Sequence, residues 1–272
     1  MRPMTEADSH RSNEPIQFVT HAAQQGLVLP PMKRCAFLLD IDGTLLDLAP
    51  APDQVVVPKG LRTALQALFE QTAGALAFVS GREIVDIDRI FAPAVFPAVG
   101  GHGAEMRVSA AEAACATLAQ PLSRELRQRF AALAALSSGI LIEDKGFSIA
   151  IHYRKAPEAE RGIFERIAAI RGELSEAPIE VLPGKRVVEI KSSGFSKASG
   201  VRELMTHKPF KGRCPLFFGD DVTDDTVFAI MPDLKGLSFS VGRKARGVAG
   251  QFSRPRDVRR WLAQLAGTSR PL

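Results

Sequence analysis

The sequence predicts an α/β fold: a parallel sheet with helices on both faces, interrupted by an inserted α+β unit. Three observations predict it. Short apolar runs ending in turn residues recur at Ala36–Leu39, Ala75–Val79 and Val95–Val99, with helix-like segments between them, and such alternation builds a parallel sheet. Between about 107 and 192 the order changes to helix, hairpin, helix, hairpin. From Ser193 the strand–helix alternation returns.

Residues 1–32 are polar, lack periodicity and end in Pro30-Pro31, so they read as an N-terminal extension. The stretch FLLDIDGTLLDL, Phe37 to Leu48, follows. Its apolar run reads as a strand buried on both faces. Side chains alternate along a strand, so Asp40 and Asp42 point to the same side. Paired carboxylates at the end of a buried strand repel each other and lose hydration. A hard cation such as Mg2+ offsets that cost. An ordinary Asp-Gly turn is the plainer reading of DG alone; a calcium loop is excluded by the position of the Gly and the missing closing Glu.

Pro58 opens a helix over GLRTALQALFEQ, and Gly74 stops it. ALAFVSGR is a second buried strand ending at Ser80, EIVDIDRIF a helix, and Val95–Val99 a strand leading into GGHGAE. Leu122–Leu136 reads as an amphipathic helix and ILIEDKGFSIAIHYR as a hairpin around Lys145-Gly146. A helix over about 158–174 and a hairpin around Pro183-Gly184 complete the insertion. GFSKASGVRELMTH carries Lys197 at the start of a helix. CPLFFGDDVTDDTVFAIM is a strand, an acidic loop with Asp220, Asp221, Asp224 and Asp225, and a helix; LSFSVG is a last strand and Val258–Leu265 a last helix.

In an open parallel sheet, ligands bind outside the carboxyl ends of the strands. Asp40, Asp42, Ser80 and Asp220 therefore converge there, and Asp220 and Asp224 share a face if their loop begins a helix. The set suits phosphoryl transfer, which needs charge neutralisation and in-line positioning. A carboxylate nucleophile, a second carboxylate as acid and base, a lysine, a hydroxyl and Mg2+ cover those needs. Taken singly, Ser80 also fits a helix cap and Lys197 a surface lysine.

No segment approaches the roughly 20 apolar residues of a membrane span, and the polar N-terminus lacks the apolar core of a secretory signal. Three scattered cysteines without a CxxC suggest neither a disulfide framework nor a zinc site, and the net charge of +5 singles out no nucleic acid. The expectation is a cytoplasmic monomer that binds neither nucleic acid nor membrane. Cys35 and Cys214 open apolar runs, where a buried thiol is expected.

DIDGT, VSGR, GFSKASG and GDDVTDD resemble, in this chain order, the four motifs of the haloacid-dehalogenase-like (HAD) phosphohydrolases. The resemblance implies a Rossmann-like core, Asp40 as nucleophile, Asp42 as general acid/base, Ser80 and Lys197 on the phosphate, and Mg2+ held by Asp40, Asp42 (through its backbone carbonyl) and Asp220, with Asp224 in support. PDQVVVP, GGHGAE, AIHYR and PGKRVVEIK narrow the likeness to the trehalose-6-phosphate phosphatases over about residues 37–242. That family inserts a cap after the third core strand. The implied domains are a core of 33–106 with 193–272 and a cap of 107–192. The implied substrate is a sugar phosphate, hydrolysed through an aspartyl-phosphate in trehalose biosynthesis. Carboxylates and ammonium groups suit sugar hydroxyls; the resemblance directs Glu143, Lys145, Lys185, Glu189 and His102 to the sugar, although turn charges are often just solvated. Asp225 stands where the family has Glu, and Gly101 where a larger residue is usual. Two rival readings stay open: a HAD phosphatase for sucrose phosphate or a glycosyl phosphoglycerate, and a phospho-switch of the response-regulator type.

Overall fold

A computed structural model describes residues 18–19, 29–49, 54–111, 116–174, 178–184 and 186–268. Cys115, Lys185 and most of the N-terminal extension lie outside the described residues. The chain opens with β1 (Phe18–Val19) and β2 (Cys35–Leu39), then runs α1 (Leu61–Gln71), β3 (Leu76–Val79), α2 (Ile84–Phe91) and β4 (Ala98–Gly100). β5 (Glu105–Arg107) and β6 (Ala116–Thr117) follow, then α3 (Arg124–Ala131), β7 (Leu141–Asp144), β8 (Ser148–His152) and α4 (Glu160–Glu173). β9 (Ile179–Gly184) and β10 (Val187–Ser192) lead to α5 (Lys197–Leu204), β11 (Cys214–Gly219), α6 (Asp225–Ile230), β12 (Leu237–Val241), β13 (Gly250–Phe252) and α7 (Pro255–Leu265).

The large sheet has the order β1-β13-β12-β11-β2-β3-β4-β5-β6. Its six strands from β13 to β4 are parallel, and β1, β5 and β6 pair antiparallel at the two edges. β2 sits in the middle, and its alternation feeds both faces. Phe37 and Leu39 pack with α1, α2 and α7, while Ala36 and Leu38 pack with α5 and α6. A strand buried on both faces needs an unbroken apolar run, which is why β2 and β3 carry no polar residue. Fully burying a side chain such as Phe37, Phe78 or Phe218 stabilises the fold by about 1.5–3 kcal/mol.

The second sheet, β7-β8-β10-β9, is antiparallel throughout. One face, with Ile149, Ile151, Val188 and Ile190, packs on Leu126 and Phe130 of α3 and on Ile163, Ile167 and Ile170 of α4 in an apolar core of its own. The expected 122–136 helix is shorter: Ser123 caps it by accepting from the Leu126 N–H, and the chain tightens to a 3-10 turn over Ala132–Leu136. The second hairpin turns later than its sequence suggests. β9 runs through Pro183 and Gly184, and Gly184 pairs with Val187 of the next strand; Arg186 has φ +63°. β9 is an edge strand, where a proline's missing N–H breaks no ladder.

The large sheet meets the β7–β8 turn at GGHGAE. Gly101 has φ +55°, and a Cβ there would lie 2.5 Å from Cζ of Phe147 in the β7–β8 turn. Phe147 in turn meets Phe195 edge-on. Gly101 is thus what lets this aromatic close the joint. Gly101→Ala is expected to cost about 1–2 kcal/mol for the left-handed backbone and more for the crowded ring. In a Phe147→Ala background only the backbone part should remain, a non-additivity that denaturant unfolding of the single and double variants measures.

Candidate active site

Four adjacent parallel strands, β11, β2, β3 and β4, deliver polar groups at their carboxyl ends: Asp220, then Asp40 and Asp42, then Ser80, then His102. Lys197 arrives from the first position of α5, behind the Ser196–Ser199 capping box. Its Nζ donates to Asp40 Oδ1 at 2.8 Å and to Asp224 Oδ1 at 2.7 Å, and all three residues are buried. Asp224 is fixed on its other oxygen, where Oδ2 accepts the Asp220 and Asp221 backbone N–H groups at 2.9 and 3.0 Å. Asp220 Oδ1 accepts from the Thr44 hydroxyl at 3.3 Å. Gly43, with φ +80°, makes room for it, since a Cβ there would lie 2.1 Å from Asp220 Oδ2.

One ammonium faces three carboxylates, and the electrostatics register the imbalance. Burial, reinforced by Asp224 and Asp220, pushes the Asp40 pKa well above the usual carboxylate range despite Lys197. Burial and Asp224 push Asp220 up to about 6. Burial works against the charge of Lys197, but Asp224 and Asp40 outweigh it and raise its pKa. Oxygens of Asp40, Asp220 and Asp224 lie within 4.8 Å of one another. An all-oxygen, excess-negative, buried trio is the donor set that a hard dication such as Mg2+ takes, so the residues fit that ion.

The Asp42 carboxylate is not part of the trio. Arg82 grips it with two hydrogen bonds, Nε to Oδ2 at 2.5 Å and Nη2 to Oδ1 at 2.8 Å. Ser80 Oγ accepts the Arg82 backbone N–H at 3.2 Å, which leaves the hydroxyl proton to donate elsewhere. Asp225 points away from the trio to Arg243, whose guanidinium also donates to the Asp220 and Asp221 carbonyls at 2.6 Å each.

The other face of the second sheet roofs these groups. A cavity of about 900 Å³ is lined below by Asp40, Asp42, Ser80, Arg82, Lys197 and Asp220, and above by Glu143, Lys145, Ala150, His152 and Glu189. His102 meets Glu189 across the gap at 3.1 Å, and Lys145 Nζ reaches the Gly81 carbonyl at 3.4 Å. Burial disfavours the Glu189 charge, but Lys145 and the bonds from His102 and Ser148 outweigh it and lower its pKa. Burial likewise opposes the Lys145 charge, and Glu189 and Glu143 raise its pKa in spite of it. The hydrogen bond from His152, at 3.0 Å, lowers the pKa of Glu143 against burial.

The expected residues Asp40, Asp42, Ser80, His102, Glu143, Lys145, Glu189, Lys197 and Asp220 all line this cavity, and Asp224 stands behind it; Lys185 lies outside the described residues. Arg82, Thr44, His152 and Arg243 were not singled out by the sequence. Arg82 and Arg243 share a signal, a Gly-Arg pair just past a buried strand, in VSGR and SVGR.

Comparisons with known proteins agree. A family model described as trehalose-phosphatase matches residues 38–254. The chain is 36% identical over 233 residues to the trehalose-6-phosphate phosphatase of Escherichia coli (strain K12), covering 85% of this chain and 86% of that one. It is 40% identical over 207 residues to a "Probable trehalose-phosphate phosphatase" of Sinorhizobium fredii, covering 76% and 77%. In fold it resembles the C-terminal domain of the C. albicans trehalose-6-phosphate phosphatase, with a TM-score of 0.75 at 22% identity over 86% of this chain and 92% of that one. With this fold, these motifs and these relatives, the chain belongs to the trehalose-phosphatase family.

Proposed function

We propose that this chain hydrolyses trehalose 6-phosphate to trehalose and inorganic phosphate through an aspartyl-phosphate on Asp40. The observation that carries the reading is that Lys197 clamps Asp40 and, behind it, Asp224, beside Asp220 at the floor of a cavity roofed by polar cap residues. We read 33–106 with 193–272 as the catalytic core, 107–192 as the cap and 1–32 as an extension. The separate apolar core of the cap supports this division, although Ala116–Thr117 pairs with the large sheet.

Lys197 orients the Asp40 carboxylate for attack on phosphorus and neutralises charge on the phosphoryl oxygens. Ser80 donates its hydroxyl to one of them. Asp42, steered by Arg82, protonates the departing sugar oxygen and then takes a proton from the water that hydrolyses the acyl phosphate. Asp40, Asp220, Asp224 and the backbone carbonyl of Asp42 are the groups that would hold Mg2+, which when bound supplies further charge neutralisation for phosphoryl transfer. The cap groups Glu143, Lys145, Lys185 and Glu189, with His102 from the core, are assigned to the sugar hydroxyls. Asp42 also separates this reading from a phospho-switch, which has no use for a built-in acid and base.

Phosphate release over trehalose 6-phosphate, sucrose 6-phosphate and glucose 6-phosphate tests the proposal. Trehalose 6-phosphate should have the highest kcat/KM, chelation should stop the reaction, and Mg2+ should restore it. A better sugar phosphate among the three refutes the substrate; full turnover in metal-free buffer refutes the metal. Among the described residues no helix is long and apolar enough to cross a membrane.

A further inference from the structure

We propose that Arg243 sets the Mg2+ affinity of the site: it locks the backbone that carries Asp220 and so holds that carboxylate beside Asp40 and Asp224 before an ion binds. The inference rests on the Mg2+ reading above and adds a positioning residue that lies outside DIDGT, VSGR, GFSKASG and GDDVTDD. β11 and β12 are parallel neighbours, with Gly219 opposite Ser240. Both end at nearly the same level, β11 at Gly219 and β12 at Val241. β11 runs on into the acidic loop. Past β12, the Gly242 N–H donates to the Phe252 carbonyl at 2.9 Å. Arg243 follows directly and reaches over the neighbouring loop, its guanidinium 5.9 Å from the centre of the Phe228 ring.

The grip on the loop is two-sided. Arg243 Nε donates to the Asp220 carbonyl and Nη2 to the Asp221 carbonyl, at 2.6 Å each. The N–H groups of the same two residues donate to Asp224 Oδ2 at 2.9 and 3.0 Å. Both peptide groups that flank the Asp220 Cα are therefore bonded, which leaves its carboxylate only the side-chain torsions. Asp225 accepts from Arg243 Nη2 and holds the fork in turn. A planar guanidinium reaches two carbonyls at once, which the point charge of a lysine does not. The loop needs this hold because of its charge. Lys197 donates to Asp40 and Asp224, whereas Asp220 accepts from the neutral Thr44 hydroxyl. Without an ion, repulsion from the other two carboxylates pushes the Asp220 loop outward, and Arg243 opposes that movement through the backbone. A ligand shell ordered in advance loses less freedom on binding.

The test is calorimetric titration of Mg2+ into the full chain after chelation and dialysis, in the parent and in Arg243→Ala, Arg243→Lys and Asp225→Ala. Arg243→Ala should raise the Kd for Mg2+ by about 10–100-fold, the scale on which groups behind metal ligands act. The Mg2+ concentration for half-maximal phosphate release should rise with it, and excess Mg2+ should bring kcat back toward the parent value. Arg243→Lys should fall between the alanine variant and the parent, and it keeps the test readable if the alanine variant does not fold. Asp225→Ala should weaken binding less. Added to Arg243→Ala it should change nothing further, because Asp225 acts through Arg243. A fold defect alone lowers the number of sites titrated and leaves their Kd at the parent value. An unchanged Kd in the Arg243 variants, or a loss of kcat that excess Mg2+ does not restore, overturns the positioning role. A parent that takes up no Mg2+ overturns the metal reading and this inference with it, so the two failures are distinct.

Discussion

Asp40→Asn is expected to abolish phosphate release while leaving the fold at least as stable as the parent. The two halves of that result have one cause. Asp40 is buried beside two other carboxylates, and burial already disfavours its charge. An amide of the same shape removes that penalty and still offers an oxygen to the Lys197 ammonium 2.8 Å away. It offers no carboxylate to attack phosphorus. Loss of a nucleophile costs at least about four orders of magnitude in kcat, so phosphate release should fall to background. Binding of beryllium fluoride, which mimics an aspartyl-phosphate, should vanish with it. Substantial turnover by the variant would sink the covalent mechanism, and a large loss of stability would show that Asp40 serves the fold as well.

Lys197→Ala should do the opposite to stability. Lys197 is the cation that touches Asp40 and Asp224, and its removal leaves two buried carboxylates unpaired. Breaking a buried pair in this way costs about 3–5 kcal/mol, and turnover should be lost as well. The stability deficit should depend on pH in a definite direction. Asp40 has a folded-state pKa raised above its unfolded value, and losing Lys197 raises it further. Below the unfolded value of about 4 both states are protonated and there is no penalty; the penalty grows as the pH rises from there through the folded value. Denaturant unfolding in chelator should therefore find Lys197→Ala closest to the parent at acid pH and furthest from it at neutral pH. A deficit independent of pH would mean that lost packing by the lysine stem, not the stranded charge, is responsible.

Several of these features were open to reading from the chain alone. A run such as Ala36–Leu39, short and closed by a turn, reads as a strand covered on both sides, and an acid placed directly after it then sits at the strand's carboxyl end. Those two facts carry Asp40, Ser80 and Asp220 to one edge of the sheet without any knowledge of contacts. The hairpins of the second sheet were likewise legible from alternation, apart from the one-sided clue of Pro183-Gly184, which marks a turn in most contexts and here lies in an edge strand.

Pairings between side chains were not legible. Lys197 stands 157 residues from Asp40, Arg82 stands 40 from Asp42, and Glu189 stands 87 from His102. No local rule says which of several arginines will grip Asp42, or that Asp225 will turn to Arg243 instead of the acid trio. The grip of Arg243 on the acidic loop is of the same kind, because it exists only where β11 and β12 end side by side. Sequence by itself determined the elements, the sheet and the acids at its edge, since backbone periodicity and burial act over a few neighbouring residues. The tertiary structure decided which charges meet and what shape the cavity takes, since Coulomb attraction and steric fit depend on distances that only the packed chain sets.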